Sequence, residues 1–173
     1  KLLFGTRKLK KVPYYRNIAL NKASSKYEIL LFLDSDVLPK KNIIENHYKY
    51  HKKYVDIPLI GGSVKPSFLI DQKTFWEKID GCMTWFCSLE PKKNTIVNFP
   101  YHLATANISM KVKFLKANNI KFDNNLITGE DVDLSNKIRN IKEIMLAKNM
   151  EVIHRDRTEL ASFLEHQKNW GKH

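Results

Sequence analysis

Two short acidic motifs are the parts of this sequence best suited to chemistry. Asp34 and Asp36 flank a serine directly after an apolar run, and Glu130 and Asp131 follow a glycine much later in the chain. Two carboxylates one residue apart in an extended or turning segment can present oxygens to one hard cation, such as Mg²⁺ or Mn²⁺. An acidic turn after a buried strand, or acids in the first turn of a helix, would have the same local sequence. Taken singly, the motifs therefore leave both a metal site and a structural turn open.

The segment 27–33, in which residues 29–33 form an unbroken apolar run, predicts the element that positions the first motif. A short run that is apolar on both faces is typical of a central, parallel-type strand covered by helices. Ligand sites in open α/β sheets lie at the carboxyl ends of such strands, where Asp34 and Asp36 stand. The other predicted elements alternate: a strand over 58–64, a helix over 130–140, and strands over 143–147 and 151–154. This alternation predicts an α/β fold.

Residues with distinctive backbone chemistry predict further local features. Pro39 opens a predicted helix, because proline is tolerated in a first turn. Ser109 and Thr158 are predicted to cap helices over 110–117 and at the end of the chain. Gly61 and Gly62 indicate a bulge or a close backbone approach. The apolar face predicted for the closing helix consists of Leu160, Phe163, Leu164 and Trp170.

Length and charge limit the classes of protein. The 173 residues suit one domain, which we predict to span 1–173. A net charge of +12 invites a nucleic-acid or membrane interpretation. However, most of the basic residues are lysines spread along the chain, and there is no arginine-rich tract or RNA-binding pattern. We therefore predict no nucleic-acid partner, and a peripheral contact with anionic lipid head groups as the more plausible use of this charge.

The apolar runs and the amino terminus bear on location. No run approaches the ~20 residues that span a bilayer, and the first residues lack the apolar stretch and cleavage site of a signal peptide. These features predict a cytoplasmic protein, or one peripheral on the cytoplasmic face of a membrane.

The order of the motifs is more specific than any one of them. The chain contains, in sequence, Arg16-Asn17, the apolar run with Asp34-Ser35-Asp36, the segment 104–110, Phe122-Asp123, the segment 129–134, His154 and the segment 163–171. This series resembles a family 2 glycosyltransferase of the GT-A fold. The resemblance implies a Rossmann-like, mixed and mostly parallel sheet flanked by helices.

The resemblance also implies an activity and a catalytic pair. Such enzymes transfer a sugar from a nucleotide-diphosphate donor, of which a UDP-sugar is favoured here, to a saccharide or lipid-linked acceptor. Asp131 would be the general base that takes the proton of the acceptor hydroxyl, and Glu130 would contact the acceptor. Attack opposite the leaving group would invert the anomeric centre.

Binding roles follow from the same resemblance. Asp36 would be the main ligand of a Mn²⁺ or Mg²⁺ cofactor, Asp34 would bind ribose or assist the metal, and His154 would be a further metal or diphosphate ligand. Three more residues are predicted to contact the donor: Arg16, Asn17 and Asn107.

Departures from the family pattern leave other interpretations open. The opening strands that bind the nucleotide base are not found, so the domain is expected to be incomplete at its amino terminus. Processive synthases carry Gln-x-x-Arg-Trp near their end, whereas this chain has His166 and Asn169 at the positions of that Gln and Arg. The alternatives are a nucleotidyltransferase on a related α/β fold and a non-catalytic basic module that docks on membranes or polyanions. The first would also use paired carboxylates, whereas the second would not depend on Asp36 or Asp131.

Overall fold

The computed structural model describes residues 11–23, 26–71, 73–86, 88 and 90–171. The helices are α1 (Val12–Lys22), α2 (Ile43–Lys53), α3 (Phe68–Asp71), α4 (Phe75–Trp85), α5 (Val112–Ala117), α6 (Glu130–Arg139) and α7 (Leu160–Trp170). The strands are β1 (Ile29–Leu33), β2 (Val37–Pro39), β3 (Leu59–Gly61), β4 (Val64–Pro66), β5 (Thr95–Ile96), β6 (Asn107–Lys111), β7 (Ile144–Leu146) and β8 (Val152–His154). None of these described helices is long and apolar enough to cross a membrane.

Two mixed sheets organise the chain. The larger has the order β1-β6-β3-β7-β5, and the smaller has the order β2-β8-β4. The predicted α/β class with a mixed sheet is therefore confirmed. The predicted excess of parallel pairing is wrong for the described strands: β3·β7 and β4·β8 are parallel, whereas the pairs β1·β6, β3·β6, β5·β7 and β2·β8 are antiparallel.

Strand β6 accounts for most of this difference. Its five residues insert between β1 and β3 and run antiparallel to both, so β1 is not the central parallel strand that its apolar run predicts. Ser109, predicted to cap a helix, lies fully buried in the middle of β6, and α5 begins only at Val112. Capping is a local preference, and here the hydrogen bonds of two neighbouring strands outweigh it.

The other two predicted helix starts are also displaced. Pro39 is the last residue of β2, which pairs only with β8 among the described strands, and proline is tolerated on such an edge. Thr158 precedes the N-cap position of α7, which is Glu159. Of the apolar face predicted for this helix, only Phe163 is buried, and its ring stacks on Trp76.

Apolar side chains cover both faces of the larger sheet. Leu59 and Ile60 are consecutive in β3 and belong to different core clusters, as do Ile144 and Met145 of β7. Because neighbouring side chains of a strand point to opposite faces, the sheet is packed on both sides. Packing on both faces holds the larger sheet in place, and the sheet in turn positions the loops at its strand ends.

Glycine is required where two backbone segments meet. A Cβ atom on Gly62 would lie 1.9 Å from the carbonyl oxygen of Met150 and 2.3 Å from Nδ2 of Asn107. A Cβ atom on Gly61 would lie 2.8 Å from Leu103. The close backbone approach predicted from these glycines is confirmed.

A chain of buried polar groups joins α2 to this junction. The Asn107 amide donates to the carbonyls of Ser63 and Met150, so its oxygen accepts from Nε2 of His47 at 2.9 Å. Nδ1 of His47 and Nε2 of His51 both contact the Ser109 hydroxyl, at 2.7 and 2.9 Å. Burial lowers the pKa of both histidines to about 4, so they are neutral at neutral pH.

Candidate active-site cleft

One open cleft of about 870 Å³ gathers most of the predicted site residues. Its volume lies within the range of small-ligand sites. It is bordered by α1, by the turn after β1, by the end of β8 and by the start of α6. Six of the eight predicted site residues line it: Arg16, Asp34, Asp36, Glu130, Asp131 and His154.

Pairing of β2 with β8 brings Asp36 to His154. Val37 and His154 are partners in the antiparallel register, and the backbone N–H of Arg155 donates to the Asp36 carbonyl at 3.0 Å. As a result, Nε2 of His154 lies 3.4 Å from Oδ2 of Asp36. The Asp36 side chain is half-exposed to the cleft, whereas His154 is buried.

Arg16 connects the two acidic motifs. Its Nη2 atom lies 3.0 Å from Oδ1 of Asp34, and its Nη1 atom donates to Glu130. The guanidinium also lies over the ring of Phe122, 5.8 Å from its centroid. The guanidinium therefore holds the turn after β1 against the start of α6, and two carboxylates already use its donors.

Asp131 stands in the first turn of α6, facing the cleft. Gly129 precedes the helix with a φ of 76°, a left-handed conformation that glycine adopts without a steric penalty. The Asp131 side chain is 21% exposed, and Oδ2 lies 4.0 Å from Nε2 of His102. This carboxylate is accessible to a ligand and has a histidine beside it.

Two predicted donor contacts lie elsewhere in the structure. The Asn17 amide donates to the Phe122 carbonyl and to Asn124, and its oxygen accepts from the Phe122 N–H. Asn107 is fully buried in β6, where its amide joins the strands to Met150. The structure brings neither residue to the cleft lining, because the backbone groups around each one use its side-chain hydrogen bonds.

The pair Asp36 and His154 can be compared with the needs of a metal ion. Across the described part of the chain, no cluster of three or more His, Cys, Asp or Glu residues is arranged to hold a metal ion. Two neighbouring ligands of an octahedral Mg²⁺ ion, each at about 2.1 Å, are about 3 Å apart. The 3.4 Å between these two side chains is close to that separation. They fit part of a coordination shell that substrate oxygens and water would complete.

The cleft is acidic although the chain as a whole is basic. Its described lining includes six carboxylates but only two Lys or Arg residues, Arg16 and Arg157. An anionic ligand entering this cleft would be repelled unless a cation accompanied it. The charge balance therefore fits joint binding of a phosphorylated ligand and a divalent cation.

Two buried carboxylates behind the cleft were missed by sequence reasoning. The side chains of Asp80 and Asp156 have no exposed surface. Asp80 accepts from the backbone and from Nη1 of Arg157 at 3.0 and 3.1 Å, and one oxygen lies 3.4 Å from Nδ1 of His166. Burial raises the pKa of Asp80, but His166 and Arg157 outweigh it, so the pKa lies below its usual value. For Asp156, the signal that could have found it was the run of ionisable residues from His154 to Arg157 at the end of β8.

Known proteins resemble this chain in sequence and in fold. No family model matches the sequence. The minor teichoic acid biosynthesis protein GgaB of Bacillus subtilis (strain 168) is 29% identical over 165 residues, which are 91% of this chain and 17% of GgaB. The chain therefore spans about a sixth of the length of that relative.

Solved structures of S. aureus TarS share the fold. One matches with a TM-score of 0.59 and 18% identity, over 84% of this chain and 24% of TarS. TarS 1–349 matches with a TM-score of 0.58 and 16% identity, over 84% of this chain and 40% of that one. The expected α/β fold is therefore confirmed, and GgaB and TarS together support the resemblance stated from the motifs.

Proposed function

We propose that this chain carries the catalytic site of a metal-dependent, inverting glycosyltransferase that acts in cell-surface polysaccharide synthesis. The observation that carries the proposal is the single cleft in which Asp34, Asp36, Asp131 and His154 lie together. The name of GgaB, which refers to teichoic acid biosynthesis, supports a cell-surface product. The donor would be a nucleotide-diphosphate sugar, with a UDP-sugar favoured, and the acceptor a saccharide or a lipid-linked saccharide.

The donor end of the site is proposed to consist of Asp34, Asp36 and His154. Asp36 and His154 would hold Mn²⁺ or Mg²⁺, and Asp34 would bind the ribose or assist. When bound, the ion would supply a positive charge that neutralises the diphosphate as the sugar–phosphate bond breaks. Arg157 stands in the same lining with about a third of its side chain exposed, and its guanidinium can donate to a phosphate oxygen.

The acceptor end is proposed to consist of Asp131 and its neighbours. Asp131 would take the proton of the acceptor hydroxyl, which then attacks the anomeric carbon from the side opposite the leaving diphosphate. Glu130 is less suited to this role because its side chain is only 13% exposed and its carboxylate accepts from Arg16. Glu130 would instead hold the start of α6, and therefore Asp131, in position through its contact with Arg16.

The charge of the chain has a proposed use outside the cleft. Two Lys or Arg residues line the described cleft, whereas the sequence contains thirty. Most of the positive charge is therefore free for a peripheral contact with anionic lipids, where lipid-linked acceptors would be found. We propose no nucleic-acid partner.

The proposal can be tested on the natural full-length protein. Thermal stabilisation by UDP-, GDP- and dTDP-sugars with Mn²⁺ would identify the donor, and a transfer assay would follow. We expect release of a nucleoside diphosphate together with a glycosylated acceptor. Release of inorganic pyrophosphate would instead indicate a nucleotidyltransferase. Binding to polyanions that is steeply salt-dependent and unchanged in Asp36→Asn and Asp131→Asn would indicate a non-catalytic module.

A further inference from the structure

Asp156 is the buried carboxylate directly behind His154. Its Oδ1 atom lies 3.0 Å from Nδ1 of His154 and accepts from Nε1 of Trp85 at 3.0 Å. Its Oδ2 atom accepts from the backbone N–H of Ser67 at 2.8 Å. The ring of Trp85 also packs against the His154 ring, with 4.5 Å between centroids. Asp156 and Trp85 together hold the imidazole from two directions.

These contacts determine which nitrogen of His154 faces the cleft as an acceptor. Oδ1 of Asp156 accepts from an indole N–H, which cannot itself accept, and Oδ2 accepts from a backbone N–H and contacts the Ser67 hydroxyl at 3.2 Å, so both carboxylate oxygens act as acceptors. Nδ1 of His154 must then carry a hydrogen, because otherwise two lone pairs would face each other across 3.0 Å. In a neutral imidazole this leaves the lone pair on Nε2, the nitrogen that lies 3.4 Å from Oδ2 of Asp36.

A second layer fixes Asp156 itself. The Ser67 hydroxyl accepts from the Asp156 backbone N–H at 3.2 Å and donates to Glu77 at 2.6 Å. Glu77 is buried near the start of α4 and also accepts from the backbone of Lys73. The Asp156 carboxylate is thus anchored to α4 and to the residue that follows β4.

We infer that Asp156 is a positioning residue, which fixes the ring orientation and tautomer of His154 so that Nε2 and Asp36 present a pair of ligand atoms to the cleft. Buried carboxylates commonly orient ligating histidines through the other ring nitrogen. The inference rests on the proposed function for the identity of the ion, but the tautomer of His154 does not depend on that ion. Asp156 itself contacts neither substrate nor metal.

The tautomer can be measured without any substitution in Asp156. Histidine in the full-length protein is labelled with ¹⁵N, and long-range ¹H–¹⁵N spectra are recorded without metal at about pH 8, where an ordinary histidine is neutral. The signals of His154 are assigned by their loss in His154→Gln. We expect hydrogen on Nδ1. Hydrogen on Nε2 would overturn the inference.

A double-mutant cycle tests whether Asp156 acts through His154. Mn²⁺ affinity in the presence of UDP is measured by electron paramagnetic resonance for Asp156→Asn, His154→Gln and the double variant. We expect Asp156→Asn to weaken Mn²⁺ binding about 10–100-fold. The double variant should bind Mn²⁺ no more weakly than His154→Gln alone. Independent losses that multiply in the double variant would contradict the inference.

Asp80→Asn is the matched control, because Asp80 is an equally buried carboxylate that contacts Arg157 and His166 instead. Its effect on Mn²⁺ affinity, if any, should add to that of His154→Gln. If the wild-type protein binds no Mn²⁺ with UDP, the metal role in the proposed function fails. The tautomer then decides the positioning role separately.

Discussion

Nε2 of His154 lies 3.4 Å from Oδ2 of Asp36, although more than two-thirds of the described chain separates them in sequence. The contact exists because β2 and β8 pair, and because Asp156 holds the opposite side of the imidazole. Two lone-pair-bearing atoms repel each other at this separation. A cation bound to both offsets that repulsion and makes their close approach favourable. This relationship is the basis of the first prediction.

Asp36→Asn is expected to abolish the coupling between metal and nucleotide binding. Asp36 and His154 supply too few atoms to fill an octahedral shell, so the ion should bind only together with a nucleoside diphosphate. Calorimetry with UDP, GDP and dTDP, each with and without Mn²⁺, measures this coupling in the full-length protein. The variant should behave as the wild type does after chelation. Equal nucleotide binding by the wild type with and without a chelator would contradict a metal ion that links the protein to the diphosphate.

Asp131→Asn is expected to reduce sugar transfer by ~10²–10⁴-fold, the usual loss when a general base is removed. The amide keeps the shape of the side chain, and donor affinity should barely change because the proposed donor contacts lie at Asp34 and Asp36. Transfer rates, donor binding and melting temperature are measured together. Asp133→Asn is the control for charge near the helix start, because it removes another acid of the first turn of α6.

The outcomes of this experiment identify different roles. If Asp131→Asn unfolds, the residue is a structural cap. If its turnover stays near normal, Glu130 becomes the first candidate for the base. If transfer and donor binding are lost together, Asp131 belongs to the donor site.

Stability is expected to fall as the pH drops from about 6.5 towards 4. His47 and His51 have pKa values of about 4 in the folded protein, because burial disfavours their charged forms, against 6.5 when exposed. The unfolded chain therefore binds more protons in this window, and protonation favours unfolding. Above pH 6.5 this stabilisation is fully present. Each histidine contributes a slope of up to about 1.4 kcal/mol per pH unit.

Urea unfolding at pH 7.5, 6 and 5 measures that slope. His47→Gln keeps a hydrogen-bonding side chain without a titrating ring, so it should reduce the slope even if it lowers stability at every pH. An unchanged slope in His47→Gln would show that other groups cause the pH dependence.

Gly62→Ala is expected to destabilise the fold by about 1–3 kcal/mol or more, as overpacking does. The new Cβ would lie 1.9 Å from the Met150 carbonyl, and moving that backbone would disturb the Asn107 hydrogen bonds. Gly171→Ala is the control, because its Cβ would find its nearest atom at 3.5 Å, an ordinary contact. The free energy of unfolding in urea is the measurement. Equal stability of the two variants would refute the requirement for glycine at position 62.

Local sequence was sufficient for the α/β class and for several elements. The strand predicted over 27–33 contains β1, and the elements predicted over 130–140, 143–147 and 151–154 correspond to α6, β7 and β8. These predictions succeeded because periodicity and short apolar runs reflect burial that the segment imposes by itself. The four acids among the predicted site residues all line the cleft for a related reason, since acids at strand ends and helix starts are exposed at the edges of the sheet.

Long-range pairing decided the rest. Asn107 and Ser109 have side chains that suit a ligand contact or a helix cap, and only their partners on α2 and beside Met150 show that they belong to a buried strand. In the same way, Asp80 and Asp156 look like surface acids in the sequence. Their burial depends on donors supplied by residues distant in sequence, such as Trp85 and Arg157. A polar side chain is stable inside a protein only when its hydrogen bonds are made, and in these cases the tertiary structure alone supplies the partners.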